Sequence, residues 1–399
     1  MKTHKSYYFL LLICLCLLYA ENTSAQNALS KTNQHSKTNK SYKQKAKEAY
    51  DKIIAYYDIP STNLFKENFP PQSNEPKTAY FWSHTCMLTA AVLLKSLGYD
   101  DSSLKKCFDG MEDYWDSIRL PATYQSAPAT YGDSERFYDD AATAGLDLIE
   151  AYEVTKEKKY LDKAEACVIF DMSGESKDEG GGLFWCEQYR MNAVNDSRAI
   201  KATNATAFAA TLALKLYQID HKKEYLDFAE RLYHWNKSVM QDPLDNLYWN
   251  DISLLTHQIN KTKWTYNAGE MLSAACLLFT ITKDTSYFYD AKELAKNSFD
   301  YFTKSFANKG LFFPNHDPWF TVILFRGYLD FYALDPNKTT KYINTFIDNA
   351  DNAWLHARTS GGLFYEDWTG AAKGRYYWIL NQAAMVEAYA RIAIYKKSK

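Results

Sequence analysis

The 399-residue sequence contains little glycine and little proline, at 15 and 10 residues. Folds built from many short strands and tight turns ordinarily need more of both residues, so a turn-rich all-β fold is disfavoured and a mainly helical fold is expected. Hydrophobic residues make up 47% of the chain and charged residues 24%. This balance is typical of a packed globular protein and excludes global disorder.

The sequence also lacks an excess of charge of either sign. The 46 basic residues nearly balance the 48 acidic ones, which leaves a net charge of −2. This balance argues against a nucleic acid or an anionic membrane surface as the main partner. A phosphate-binding loop, a dinucleotide fingerprint, a serine nucleophile elbow and the paired-histidine metal motifs are all missing. We therefore expect neither a metal nor an organic cofactor.

The N-terminus resembles an export signal. Lys2 and Lys5 precede an apolar run at 7–20, and Ala25 ends a stretch similar to a signal-peptidase cleavage site. The run is shorter than the roughly 20 residues that a membrane span requires. We predict that residues 1–25 are a signal peptide, and that the mature chain is periplasmic, extracellular or at the cell surface, without an integral membrane span.

Five cysteines follow the predicted signal peptide, at long and irregular spacings: Cys86, Cys107, Cys167, Cys186 and Cys276. Their odd number and the lack of a C-x-x-C pair indicate neither a disulfide scaffold nor a zinc cluster. Cys167 and Cys276 lie in apolar helical runs and are interpreted as packed thiols. A single bridge stays open as an alternative in an oxidising compartment.

One motif recurs along the chain. The stretch EKKYLDKAE (157–165) is echoed by KKEYLDFAE (222–230) and more weakly by KDTSYFYDAKELAK (283–296). Each copy follows an apolar helical run that a short polar turn closes. A supersecondary unit of two helices, repeated along the chain, explains this spacing.

Hydrophobic periodicity predicts twelve helices in which two types alternate. Their spans are 44–57, 80–97, 101–116, 138–154, 159–170, 203–218, 223–240, 264–281, 286–305, 317–333, 338–356 and 378–396. One type is apolar on nearly every face and should be buried, whereas the other is amphipathic and should form an outer layer. Six buried and six outer helices predict an all-α protein with an (α/α)6 barrel. We assign 44–399 to this single catalytic domain, expect it to be a monomer, and interpret the polar segment 26–43 as disordered.

The connections predict where function lies. Turns from inner to outer helices are short, whereas most connections from outer to inner helices are long, at 58–79, 117–137, 171–202, 241–263 and 357–377. All inner helices of such a barrel point the same way, so the long connections meet at one rim, above the inner-helix N-termini. Long loops on a rigid scaffold commonly carry function.

Aromatic, amide and carboxylate side chains occupy this rim, a combination that suits a glycan. The candidate substrate-binding residues are Trp82, His84, Tyr138, Trp185, Asn204, Tyr266, Asn267, Trp319 and Trp378. For each of them, core packing or helix capping is the alternative role. The glycine run at 180–182 is either a close approach to a sugar or a tight turn that needs positive φ.

Asp139 and Asp140 are the candidate catalytic residues. Glycoside cleavage needs two carboxyl groups, and close carboxylates have pKa values that separate, as an acid and a nucleophile require. Helix capping is the alternative for either residue. The rim connections also hold five other carboxylates that are alternatives for the second catalytic group: Asp178, Glu179, Asp251, Glu366 and Asp367.

The segment FYDDAATAGLDLIEAYEVTKEKKYLDKAE (137–165) resembles glycoside hydrolase family 76, the endo-α-1,6-mannanases. The resemblance continues through GGGLFW (180–185), TNATAFAATLALKLY (203–217), WTYNAGEMLSAA (264–275), WFTVILFRGYLDFY (319–332), GGLFYEDW (361–368) and ILNQAAMVEAYARIA (379–393). It implies an (α/α)6 fold and an enzyme that hydrolyses α-mannan with retention. It also implies that Asp139 is the nucleophile and Asp140 the acid/base.

The sequence departs from the family pattern beside this pair. Ala141 follows the aspartates where members usually have Asn, and Ala268 stands where Gln is common. These changes keep two alternatives open. One is a non-catalytic glycan-binding protein on the same scaffold. The other is an (α/α)6 unsaturated-glucuronyl hydrolase or lyase, for which Arg198, Lys201 and Arg375 would supply a cationic site.

Overall fold

The computed structural model describes residues 40–190, 195–306, 309–314 and 316–398. The predicted signal peptide and most of the predicted disordered segment lie outside the described residues, and both stay predictions. The assignment of 44–399 to a single catalytic domain and the monomeric state also stay predictions. Helix α1 begins at Tyr42, two residues earlier than predicted, because Ser41 and Gln44 form a reciprocal capping box around its first turn.

The described residues contain twelve helices of ten or more residues. In chain order these are α1 Tyr42–Tyr57, α2 Phe81–Ser96, α3 Ser102–Met111, α4 Tyr138–Thr155, α5 Lys158–Ser173, α6 Thr203–Asp220, α7 Lys223–Trp235, α8 Thr265–Thr282, α9 Thr285–Phe302, α10 Pro318–Tyr332, α11 Pro336–His356 and α12 Ile379–Lys397. Each matches one predicted helix. A one-turn helix, Glu187–Arg190, lies in the connection predicted at 171–202.

Three helices end at least three residues earlier than their periodicity predicted, at Met111, Trp235 and Phe302. After Met111 the chain forms a 3₁₀ turn and then a strand, and after Phe302 it also leads into a strand. After Trp235 it widens into a π-helical turn, where the Asn236 amide donates to the carbonyl of Thr203. Beyond Met111 and Trp235 some of the following residues are still buried, among them Tyr114 and Met240, although their backbone is no longer α-helical.

The six even-numbered helices form a closed inner ring, and the predicted (α/α)6 barrel is confirmed. Each inner helix contacts the next one along the chain, and α12 contacts α2 to close the ring. The odd-numbered helices lie outside, and α1 packs mainly on α12. Small residues allow the inner helices to approach closely. A Cβ on Gly269 of α8 would lie 2.6 Å from the Ile323 carbonyl oxygen of α10.

The repeated sequence motif corresponds to a repeated turn. Helices α4, α6 and α8 end with Lys156, His221 and Lys283 in the left-handed conformation, with φ of 61°, 58° and 63°. Within the following outer helices the repeated tyrosines Tyr160, Tyr225 and Tyr287 are all buried. The motif therefore marks the point at which an inner helix turns back into an outer one.

The strands are two or three residues long and lie in the long connections, at the rim above the N-termini of the inner helices. They are β1 Asn68–Phe69, β2 Trp115–Asp116, β3 Thr123–Tyr124, β4 Ile200–Ala202, β5 Asp251–Ser253, β6 Ile259–Asn260, β7 Lys304–Ser305, β8 Leu311–Phe312 and β9 Tyr377–Trp378. All pairings are antiparallel: β1 with β9, β2 with β3, β4 with β5, β5 with β6, and β7 with β8. The β1–β9 pair ties the first long connection to the last.

The five cysteines are free and buried. Among the described helices, none has the length and apolar character needed to cross a bilayer. In the same part of the chain, no group of three or more His, Cys, Asp or Glu side chains is arranged to hold a metal ion.

Candidate active site

A cavity of about 650 Å³ opens at the rim formed by the N-termini of the inner helices. Its size falls within the usual range for sites that bind small molecules and sugars. Eight of the eleven predicted site residues line it: Trp82, Asp139, Asp140, Trp185, Asn204, Tyr266, Trp319 and Trp378. The long connections and the first turns of the inner helices together form its walls, as the helix pattern predicted.

Asp139 and Asp140 lie in the first turn of α4, where Phe137 is the N-cap residue. Neither aspartate caps the helix, which removes the main alternative role for the pair. Backbone N–H groups at a helix N-terminus are free of intrahelical partners and stabilise negative charge there.

Neutral donors surround the carboxylate of Asp139. Its Oδ2 accepts hydrogen bonds from Trp185 Nε1 at 3.0 Å and from Asn204 Nδ2 at 2.6 Å. Its Oδ1 accepts from the backbone N–H of Asp140 at 3.1 Å. Hydrogen bonds of this kind favour the ionised form of a carboxyl group.

Asp140 has a different environment. Within the described structure, no side chain donates a hydrogen bond to its carboxyl group. Burial raises the pKa of Asp140 well above its usual value, and the adjacent charge of Asp139 raises it further. Burial also raises the pKa of Asp139, but the bonds from Trp185 and Asn204 partly offset this rise. The pair therefore favours an ionised Asp139 beside a protonated Asp140.

Aromatic rings form another wall of the cavity. Trp82 contacts Trp378 and Trp319 edge to face, with ring centroids 5.2 Å and 5.4 Å apart. Tyr266 packs against Phe320 with centroids 4.3 Å apart. Flat apolar rings beside hydrogen-bonding carboxyl and amide groups suit a sugar, which presents apolar C–H faces and a polar rim of hydroxyl groups.

Glu67 is a cavity residue that sequence reasoning missed. It lies in the first long connection, just before β1, and is 5% exposed. Its Oε1 accepts from Trp378 Nε1 at 2.6 Å and from Ser83 Oγ at 3.0 Å, and its Oε2 accepts from the Tyr80 N–H at 2.9 Å. Burial raises the pKa of Glu67. This carboxyl group holds the indole of Trp378 in place.

Glu135, Tyr189 and Asn250 also line the cavity and were not predicted. All three lie in long rim connections, and that location is the only sequence signal they carry. Many other polar and aromatic residues share it, because the path of a long connection is set by its tertiary contacts.

Three predicted residues are not brought to the cavity. His84 is fully buried, its Nε2 lies 2.9 Å from the Cys107 carbonyl oxygen, and burial lowers its pKa to about 4. Tyr138 stacks on Phe170 within the core, and Asn267 is fully buried. A helix turns by about 100° per residue, so only some residues of a first turn face the barrel mouth.

The alternative carboxylates also lie elsewhere. Asp178, Glu179, Asp251, Glu366 and Asp367 are absent from the lining of the cavity. The glycine run forms a turn and is absent from the lining of the cavity. Gly180, Gly181 and Gly182 all have positive φ, and a Cβ on Gly182 would lie 2.4 Å from the Trp235 ring.

The three candidate cations are not in the cavity lining either. Arg198 forms hydrogen bonds with both carboxylate oxygens of Asp196. Lys201 is buried and donates to four backbone carbonyls, including those of Ser176 and Asp178. Arg375 is exposed. No Lys, Arg or His side chain is among the described residues that line the cavity.

The family model for glycosyl hydrolase family 76 matches residues 41–399. The chain is also similar to a family 76 mannosidase of Bacteroides thetaiotaomicron. The identity is 26%, the TM-score is 0.80, and the match covers 90% of this chain and 99% of that one.

Two further relatives are more distant. An inactive variant of a Salegentibacter α-1,6-mannanase, solved with α-1,6-mannotriose, is 23% identical with a TM-score of 0.72. That match covers 88% of this chain and 99% of the other. A mannan endo-1,6-alpha-mannosidase of Candida glabrata is 24% identical over 219 residues, which are 51% of this chain and 46% of the relative. The match thus spans about half the length of this curated relative.

Proposed function

Because the chain belongs to glycosyl hydrolase family 76, we propose that it hydrolyses α-1,6-linked mannan as an exported, retaining endo-mannanase. The observation that carries this proposal is the asymmetry of the aspartate pair. Asp139 accepts three hydrogen bonds, whereas Asp140 is half-buried beside it without a side-chain donor among the described residues. A retaining glycosidase needs this combination of an ionised carboxylate and a carboxylic acid.

The proposed reaction proceeds in two steps. Asp139 attacks the anomeric carbon, while Asp140 protonates the glycosidic oxygen of the departing sugar, which leaves a covalent glycosyl–enzyme. Asp140, now ionised, then removes a proton from water as the water attacks the same carbon, and Asp139 is released. The amide of Asn204 and the indole of Trp185 orient Asp139 throughout. Neither step requires a metal or an organic cofactor.

The departures from the family pattern do not touch the cavity. Ala141 and Ala268 are buried against neighbouring helices and are absent from the cavity lining. The cavity lining keeps both aspartates together with Trp185 and Asn204, which supports an enzyme over a non-catalytic binding protein. A glucuronyl hydrolase or lyase also loses support, since the described cavity lining has no cation to hold a uronic acid.

Product analysis tests the proposal. Purified 26–399 should release a ladder of oligosaccharides from debranched α-1,6-mannan, and Asp139→Asn should release none. A product that absorbs in the ultraviolet would indicate a lyase. Absence of any product, with retained glycan binding, would indicate a binding protein, and either result contradicts the proposal. The relatives support the substrate, since the solved Salegentibacter α-1,6-mannanase is complexed with α-1,6-mannotriose.

A further inference from the structure

A second hollow of about 520 Å³ lies at the same rim, beside the catalytic cavity. It lies between the N-termini of α8 and α10 and the C-terminus of α9. Trp264, Thr265, Tyr301, Phe302 and His316 contribute to its lining, and Phe320 lines both this hollow and the catalytic cavity. The two spaces therefore adjoin each other at Phe320.

The rings between the two spaces form a continuous aromatic surface. Trp264 is nearly parallel to Tyr266, with ring planes 16° apart and centroids 6.5 Å apart. Trp264 also meets Phe320 edge to face at 5.5 Å. Tyr266 faces the cavity and Trp264 faces the hollow, so aromatic surface suited to sugar stacking extends from one space into the other.

Tyr301 forms the outer wall of the hollow. It lies in the last turn of α9, and its side chain is 44% exposed, although it is a large aromatic residue. The ammonium group of Lys263 is 5.2 Å from its ring centroid, but Asp242 and Asp245 each bind that ammonium at 2.7 Å. Because two carboxylates neutralise Lys263, this lysine does not itself require an anionic ligand. Lys304 also lines the hollow, with its ammonium group 5.7 Å from the same ring centroid, and an ammonium group can donate hydrogen bonds to sugar hydroxyls.

We propose that this hollow is an accessory subsite that stacks a neutral sugar unit of the same glycan chain, beyond the units held beside Asp139 and Asp140. The inference rests on the proposed function for its ligand class. It predicts that the hollow contributes to the binding of long oligosaccharides and contributes nothing to the binding of short ones.

The experiment compares KM for α-1,6-mannotriose and α-1,6-mannohexaose in three proteins: wild type, Tyr301→Ala and Tyr289→Ala. Tyr289 is the matched control, because it is an exposed tyrosine on the same helix, 60% exposed, and does not line the hollow. Tyr301→Ala should raise KM for the hexaose by roughly five-fold and leave KM for the triose unchanged. Tyr289→Ala should change neither value.

Equal KM ratios for wild type and Tyr301→Ala would overturn the subsite. A binding measurement separates this failure from failure of the proposed function. In an Asp139→Asn background, isothermal titration with mannohexaose should show the same loss of affinity on Tyr301→Ala, whether or not the wild type turns the oligosaccharide over. Equal affinity of the two proteins for the hexaose would also overturn the subsite.

Discussion

The rim half and the opposite half of the barrel interior both contain carboxyl groups with little exposure to water, but the partners of these groups differ. At the rim, Asp139 is held by the neutral donors Trp185 and Asn204. In the opposite half, Glu387 is held by Arg326 and Arg391, with hydrogen bonds of 2.5 and 2.6 Å to the same oxygen. Arg391 also donates to Glu150 of α4.

The partners determine the protonation state. Burial alone would raise the pKa of Glu387, but Arg326 and Arg391 lower it to about 2. At the rim, the neutral donors leave the pKa of Asp139 raised. The pKa of Asp140 is raised by burial and further by the charge of Asp139. A carboxylate paired with arginine stays ionised and links helices. A carboxyl group held by neutral donors keeps a pKa at which it can gain and lose a proton during a reaction.

The largest expected effect is on turnover, when the nucleophile Asp139 and the acid Asp140 are replaced one at a time. Asp140→Asn removes the proton donor, so turnover of α-1,6-mannan should fall by about 10³-fold. On a dinitrophenyl α-mannoside, whose leaving group needs no proton, formation of the glycosyl–enzyme should fall far less. Asp139→Asn should abolish the reaction of both substrates.

Steady-state and burst kinetics on the two substrates measure this difference. Asp140→Asn should not lower the melting temperature, because it replaces a protonated carboxyl group with a neutral amide of similar size. Equal losses on both substrates for Asp140→Asn would contradict its assignment as the acid.

Removing one arginine from the Glu387 ion pairs should lower the stability of the fold and leave the catalytic residues intact. Arg326→Met leaves Glu387 buried with half of its cationic partners, and breaking a buried pair in this way costs about 3–5 kcal/mol of unfolding free energy. Urea unfolding measures the change. Arg231→Met is the control, because Arg231 pairs with Glu175 at the exposed surface, where ion pairs contribute at most about 1 kcal/mol. Similar losses for both variants would show that burial of the pair is unimportant.

Asp147 lies between the rim half and the opposite half, two turns along α4 from Asp140. It tests how a carboxyl group behaves when an arginine is near but only partly offsets its burial. Burial raises the pKa of Asp147 to about 8, and Arg326 only partly opposes the rise. The folded state therefore binds a proton that the unfolded state releases above pH 4. This contribution to stability is present at low pH and is lost as the pH rises from about 4 to about 8.

Asp147→Asn should remove that dependence. Since each unit of pKa shift corresponds to about 1.4 kcal/mol and the shift is about four units, we expect the variant to gain about 4–6 kcal/mol relative to wild type between pH 4 and pH 8. Urea unfolding at a series of pH values measures this gain. A difference between the two proteins that does not change with pH would contradict the prediction.

The smallest effect should come from Glu67, which positions an aromatic ring and takes no part in bond cleavage. Glu67→Gln places an amide N–H beside one of three donors, and a lost hydrogen bond of this kind costs about 1 kcal/mol. KM for mannan should rise about five-fold, with a smaller change in kcat. Glu75→Gln, in the same connection but outside the cavity, should leave both constants unchanged. A fall in kcat alone would contradict a positioning role.

Local patterns predicted much of this molecule. Twelve helices and their alternation follow from hydrophobic periodicity, because an inner helix such as α6 must be apolar on every face. The rim location of Asp139, Asp140, Asn204 and Trp378 follows from the lengths of the connections. The helix ends at Met111 and Trp235 did not follow, since buried residues continue beyond them in other conformations.

The repeated two-helix unit, the barrel and the rim at which chemistry is expected could be read from the chain alone, because periodicity and connection length are local properties. Which rim residues meet in the cavity depends on long-range packing. It placed His84 and Asn267 in the core and brought Glu67 to Trp378, 311 positions away along the chain. It also gave Asp139 its neutral donors and Glu387 its arginines, and these long-range contacts set the protonation state of each buried carboxyl group.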